Sequence, residues 1–194
     1  MLFRSSKGMD DKIGAFVVAE AMRELKKRNV KVGVYCVGAV QEELGLRGAT
    51  TSAFGINPNV GIAVDDGFAT DLPDIEKKIL GDIKLGGGPE LSRNADNNIV
   101  LLNRMCETAK KKKIPFQMTT GHRASGGTDT ATIQLSRDGV ATALVSIPNR
   151  YMHSPVEICD LRDVKGAIEL IVETVATFKA GETFIRSQER RVGK

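Results

Sequence analysis

Long apolar runs alternate with amphipathic stretches along the chain, and the two patterns predict different elements. Over 10–29, Ile13, Phe16, Val17, Ala21 and Leu25 recur at helical spacing, and Asp10 or Asp11 can cap the helix. "VKVGVYCVGAV" (30–40) is valine-rich and continuous, which predicts a buried strand. "GLRGATTSAFG" (45–55) predicts a short helix with glycine at both ends, and "VGIAVDD" (60–66) a second buried strand. "IKLGGGPELS" (83–92) reads as a glycine-rich loop. A helix over 96–112 follows, with Ile99, Leu102, Met105 and Cys106 inward, and then a strand at "IPFQMTT" (114–120). "GGTDTATIQLSRDG" (126–139) predicts a helix closed by Gly139, "VATALVSIP" (140–148) a strand, and 160–178 a long amphipathic helix.

Helices alternating with buried strands define an α/β fold: three layers, α/β/α, around a mostly parallel mixed sheet. There is no internal repeat and no interdomain linker, so residues 1–181 are expected as one catalytic-type domain and 182–194 as a polar tail. The length of 194 residues suffices for one buried core.

Composition excludes more than it assigns. Charged residues are 27% and the net charge is +4, ordinary for a soluble domain. The basic clusters, such as "KKK" at 111–113, carry no nucleic-acid motif, so no nucleic-acid partner is expected. No apolar run approaches the roughly 20 residues of a membrane span. "MLFRSSKGMDDK" lacks the apolar core of a signal peptide. Cys36, Cys106 and Cys159 have no CxxC spacing and are expected as buried or free thiols, consistent with a cytoplasmic protein.

The chemistry gathers at predicted strand ends, where open α/β sheets place ligands. Glu42 and Glu43 end one strand, Asp65 and Asp66 another, and His153 lies just past a third. Asp10 and Asp11 open the first helix. Such a set suits a hard or borderline divalent metal, with a carboxylate kept off the metal as proton acceptor. Solvent-facing acids at strand ends are the competing reading. The residues alone leave open which glutamate of the pair would hold metal. Cysteine-nucleophile chemistry is disfavoured, because Cys36 is predicted within a strand and Cys106 on an apolar helix face. Gly86, Gly87 and Gly88 lack the Lys-Ser/Thr of a phosphate loop. "GGTD" (126–129), with Gly127 and Asp129, opens a predicted helix whose amides could receive a carboxylate or a polarised carbonyl, or it is a tight turn.

The ordered set "GMDDKIG", "VQEELGLRGA", "VDDGFATDLP", "SGGTDTATIQLSRDGV" and "SIPNRYMHSPVE" closely resembles the dinuclear-metal aminopeptidase family that includes the tetrahedral-shell (TET) and glutamyl aminopeptidases. Some members of that family have been labelled endoglucanases. The resemblance covers residues 7–178 and implies a zinc-exopeptidase-like catalytic domain acting on peptides. It implies that Asp10 bridges two metals, Glu43 and His153 complete one site, Asp65 serves the other, and Glu42 is the general base. Lys12 stands where the family usually has Arg, keeping the charge but not the planar fork.

The resemblance also implies an earlier segment bearing a metal-binding histidine, and an inserted β-rich domain. Neither is expected in this chain, whose only other histidine, His122, is not at a matching position. One complete zinc or cobalt site is therefore expected, with the second missing its histidine. The function expected is metal-dependent removal of N-terminal residues. The alternatives are a catalytically impaired assembly partner and a carboxylate glycan hydrolase. A homo-oligomer, or association with a complementary chain, would cover exposed apolar surface. Arg47, Arg123 and Arg150 are candidate cations for an acidic substrate residue.

Overall fold

The computed structural model describes residues 2–120 and 127–184. In chain order the elements are β1 (Phe3–Ser6), α1 (Met9–Leu25), α2 (Arg47–Ile56), β2 (Val60–Phe68), α3 (Lys77–Leu80), β3 (Glu90–Ser92), α4 (Ile99–Lys112), β4 (Gln117–Thr119), α5 (Thr130–Ile133), β5 (Ala141–Arg150), β6 (Glu157–Asp160) and α6 (Leu161–Val175). The sheet runs β1-β6-β5-β3-β4, with β2 paired to β5 off that path. It is mixed. The long β2–β5 ladder and the β3–β4 ladder are parallel, while β1–β6, β5–β6 and β3–β5 are antiparallel. The expected α/β class with a mixed sheet therefore holds, and β5 is its spine.

The core explains the placement of the helices. β5 is buried along nearly its whole length, so Ala143, Val145 and Ile147 need cover. The apolar stripes of α1 (Val17, Ala21, Leu25), α4 (Leu101, Leu102, Met105) and α6 (Val164, Leu170, Ile171) provide it. Phe16, expected on the α1 stripe, is 53% exposed instead. One residue turns a helix by about 100°, so Phe16 leaves the core face that Val17 holds. Regular helix in α1 begins after Asp11, because Asp10 and Asp11 have non-helical dihedrals. The Gly14 amide donates to Asp11 Oδ1 at 2.9 Å, so Asp11 is the residue that caps.

Residues 30–41 form no strand, contrary to expectation. Val30, Val32 and Val34 pack partly against the core, whereas Lys31, Gly33 and Tyr35 face out, and Val40 is 64% exposed. The alternation is that of an extended segment, but a strand also needs a neighbour for its amides and carbonyls. Among the described residues none pairs with it. Cys36 is accordingly exposed rather than within a strand. Between this segment and β2, whose single ladder among the described residues is with β5, lies an open groove of about 1820 Å³.

Two further expectations change. The helix over 126–139 contracts to the four residues of α5. Packing continues past residue 181: Phe184 is buried, stacks edge-on against Phe178, and sits beneath Arg104. Its carbonyl accepts from Asn98 Nδ2, and Glu182 pairs with Arg104, so the boundary at 181 falls short of where the domain packs. His122 and Arg123, and the remainder of the tail, lie outside the described residues.

Candidate metal centre and active site

Three separate stretches converge at one end of the sheet. Asp10 comes from the start of α1, Glu43 from the turn before α2, and His153 from the β5–β6 connection. His153 Nε2 lies 3.0 Å from Asp10 Oδ2 and 3.2 Å from Glu43 Oε1. One ligand atom from each of the three lies within 4.8 Å of the others. The Phe68 ring stands edge-on to His153, centroids 5.9 Å apart.

Local sequence fixes the glutamate turn. The amides of Gly45 and Leu46 donate to Glu42 O, and the Gly48 amide donates to Val40 O at 2.8 Å. At Gly48 a Cβ would meet the Val40 amide nitrogen at 2.3 Å, so glycine is required for α2 to start this close to the turn.

Around the three ligand atoms stands a shell of further acids. Asp65 and Asp66 sit on β2, which the parallel ladder aligns with Ser146 and Ile147 of β5. Asp65 lies outside the 4.8 Å set, but its charge reaches Asp11 and Glu42. Burial, then the charges of Asp65 and Asp66, push Asp11 up to about 9. Burial pushes Glu42 up to about 7, helped by Asp65, Asp129, Glu43 and Asp10. Asp65 is also pushed to about 7, by burial first; the Asp66 amide opposes the shift, and the charges of Asp10, Asp129 and Glu43 add to it. Burial takes Asp66 to about 7 against a hydrogen bond from Asn149. Asp10 is raised by burial and by Glu43, with His153 pulling the other way.

These acids fit a divalent cation. Each raises the others' pKa, and a positive ion among them reverses that effect. Asp66 Oδ1 and Asp129 Oδ1 are buried without hydrogen-bond partners among the described residues. The donors are hard oxygens with one imidazole, a set that zinc, cobalt or manganese accepts.

Of the sequence-predicted residues, Asp10, Glu43 and His153 come together, with Glu42, Asp65 and Asp129 beside them. Gly127 takes a left-handed φ of 70° and leads into α5, which is too short to present a helix terminus as an anion site. Arg47 starts α2 and is exposed. Arg150 is engaged elsewhere, in a two-pronged pair with Asp71 at 2.7 Å. The glycine loop is not a phosphate cradle: the Gly86 and Gly88 amides both donate to Asp163 at 2.7 Å. The sequence placed Asp11 and Asp66 among the candidate acids without separate roles at the site, and it gave none to Glu157. The first two are second members of the acid pairs. Glu157 ends "SIPNRYMHSPVE", four residues beyond His153, and only its contacts reveal it.

This α/β domain gathers acids and one histidine at one end of its sheet, the donor set of a divalent-metal site. The profile of the M42 glutamyl aminopeptidase family matches residues 3–170, and the chain belongs to that family. A lysyl aminopeptidase of Pyrococcus furiosus is 44% identical over 162 residues, which are 84% of this chain and 45% of that protein. Among solved structures, an aminopeptidase of Desulfurococcus kamchatkensis superposes with a TM-score of 0.84 at 36% identity, covering 91% of this chain and 50% of its own. A Pyrococcus horikoshii peptidase described as assembling into a tetrahedron or a large octahedral shell superposes with a TM-score of 0.73 at 27% identity, covering 91% and 51%. The chain thus spans about half the length of the relatives it matches. Among the described residues no helix is long and apolar enough to cross a membrane.

Proposed function

We propose that the chain carries the catalytic core of a metal-dependent aminopeptidase that removes N-terminal residues from peptides. The observation that carries this reading is the convergence of Asp10, Glu43 and His153 with Glu42 beside them, off the ligand set and near-neutral in pKa. A divalent cation held by Asp10, Glu43 and His153, zinc or cobalt by donor type, supplies charge that acidifies water and polarises a carbonyl. Glu42 takes the proton from the attacking water and returns it to the leaving amine, a role suited to a pKa near the working pH. Asp65, whose charge reaches Asp11 and Glu42, would serve a second, weaker cation site with Asp10. Asp129, which lines the groove, would contact substrate together with Arg47 and Gly127. The protein works in the cytoplasm and binds peptides rather than nucleic acid or membrane.

The test is cobalt- or zinc-loaded protein on aminoacyl-nitroanilides. Turnover that Glu42→Gln abolishes, and that excess chelator removes, supports the reading; no turnover under either metal defeats the catalytic claim. Cleavage of a nitrophenyl glycoside that survives excess chelator would instead favour carboxylate chemistry on a glycan.

A second reading rests on the groove. The extended 30–41 segment and the outer edge of β2 face one another across it, each with backbone groups that have no ladder among the described residues. This favours association, either with a complementary chain that adds a strand or with further copies in a homo-oligomer. Activity recovered only on mixing with such a chain would make this subunit an assembly partner rather than a complete enzyme.

A further inference from the structure

Glu157 lies at the start of β6 and is 2% exposed. Its two carboxylate oxygens are not shared at random. Oε2 accepts the amide of Met9 and, at 3.2 Å, that of Asp10. Oε1 accepts the amide of His153 at 3.2 Å. One side chain therefore grips the backbone of both segments that carry Asp10 and His153, at the very residues whose side chains meet.

The surrounding chain explains why such a grip is needed. β1 pairs antiparallel with β6, with Ser6 opposite Glu157, and Gly8 then turns through a left-handed φ of 64°. That turn lays the amides of Met9 and Asp10 over the Glu157 carboxylate. On the other side His153 itself holds a φ of 64°, and Tyr151 one of 63°. Left-handed backbone is strained for a non-glycine residue and persists only where the surroundings hold it. The β5–β6 connection is exposed around His153, whose side chain is 57% accessible, so beyond the Phe68 ring little packing holds it. The hydrogen bond that the His153 amide donates to Glu157 Oε1 does.

We propose that Glu157 is the positioning residue of the centre: by accepting the Asp10 and His153 amides on opposite oxygens, it sets the separation of those two ligands before any cation binds. The proposal rests on the metal-site reading above. Glu157 touches neither cation nor substrate; it acts through Asp10 and His153. A glutamine in its place offers one oxygen, and turns an NH2 against an N–H at the other position. One ligand segment must then let go.

The test is cobalt binding to the full chain, followed by the visible absorption of Co(II), with thermal unfolding of each protein alongside. Wild type binds Co(II) and His153→Ala loses the absorption if the site is as assigned; failure of wild type to bind overturns the site reading itself, and the proposal with it. Given wild-type binding, Glu157→Gln is expected to weaken Co(II) affinity by about 10–100-fold and to alter the band shape at saturation. A purely structural role would lower the unfolding temperature but leave the affinity and spectrum of the folded fraction unchanged, and that result overturns the proposal. If Glu157→Gln does not fold, Glu157→Asp carries the test, since it keeps both oxygens and withdraws them by one methylene. Folded Glu157→Asp with wild-type affinity and spectrum overturns the proposal equally.

Discussion

Glu90 offers a sharp test of the electrostatics beneath the site. It sits on β3, 4% exposed, with Oε1 against Gly67 and without a hydrogen-bond partner among the described residues. Burial, reinforced by the charges of Asp163 and Asp66, pushes it from 4.5 up to about 8. A carboxyl with a raised folded pKa binds more protons folded than unfolded between those two values. Its contribution to stability is then fully present below about pH 4.5 and is lost as pH rises through about 8. Glu90→Gln mimics the neutral acid and removes this titration. The variant should match wild type within about 1 kcal/mol at pH 5. Each pH unit inside that window is worth about 1.4 kcal/mol and the slope flattens towards 8, so between pH 5 and pH 8 the variant should gain roughly 3.5 kcal/mol on wild type. Equilibrium urea unfolding at pH 5, 6, 7 and 8 measures the difference directly. Raised acids that do not act on Glu90, such as Asp11, tilt both proteins alike, so most of the difference belongs to Glu90 and its coupling to Asp66 and Asp163. Parallel stability curves across the range would refute the argument, because they would mean Glu90 titrates alike in the folded and unfolded protein.

Other outcomes follow from the same contacts. Glu43→Ala should lose at least tenfold in zinc affinity by calorimetry, since it removes one of the three converging ligand atoms; Glu42→Gln should keep wild-type zinc affinity while losing turnover. Asp163→Ala strands the Gly86 and Gly88 amides and should cost about 2–4 kcal/mol in urea unfolding, whereas no loss would mean the loop finds other acceptors. Asp71 has its pKa raised by burial but, on balance, lowered by hydrogen bonds from Arg150 and the Leu85 amide. Its stabilisation is present above the ordinary carboxylate range and lost as pH falls through its depressed value, so Asp71→Asn should flatten the acid limb of the stability curve.

The fold was legible where pattern and packing agree. The stripes of α1, α4 and α6 announce buried helix faces, and β2 and β5 read as strands because their apolar runs are bounded by turn signals. β1 and β6 were missed: "FRSS" is short and polar, and its strand character comes from pairing with β6, not from its own sequence. Residues 30–40 failed in the opposite sense. Their apolar continuity states that they can be buried in a sheet, but a ladder requires a second edge, and periodicity carries no information about one.

The same division runs through the site. By itself the sequence determined the residue types and their order, and hence the acid-and-histidine chemistry and the family. Those depend on composition at turns and helix starts, which local rules read well. Only the tertiary structure decided which of the acids meet. The β1–β6 pairing, the Gly8 turn and the β5–β6 connection bring Asp10 and His153 within 3.0 Å, although 143 positions separate them. Mutual repulsion and burial then divide the work among the acids, because field strength falls off with distance, and distance is set by the fold. Glu157 shows this most plainly: its sequence context marks it as one more acid near a histidine, and only three amide contacts reveal what it holds.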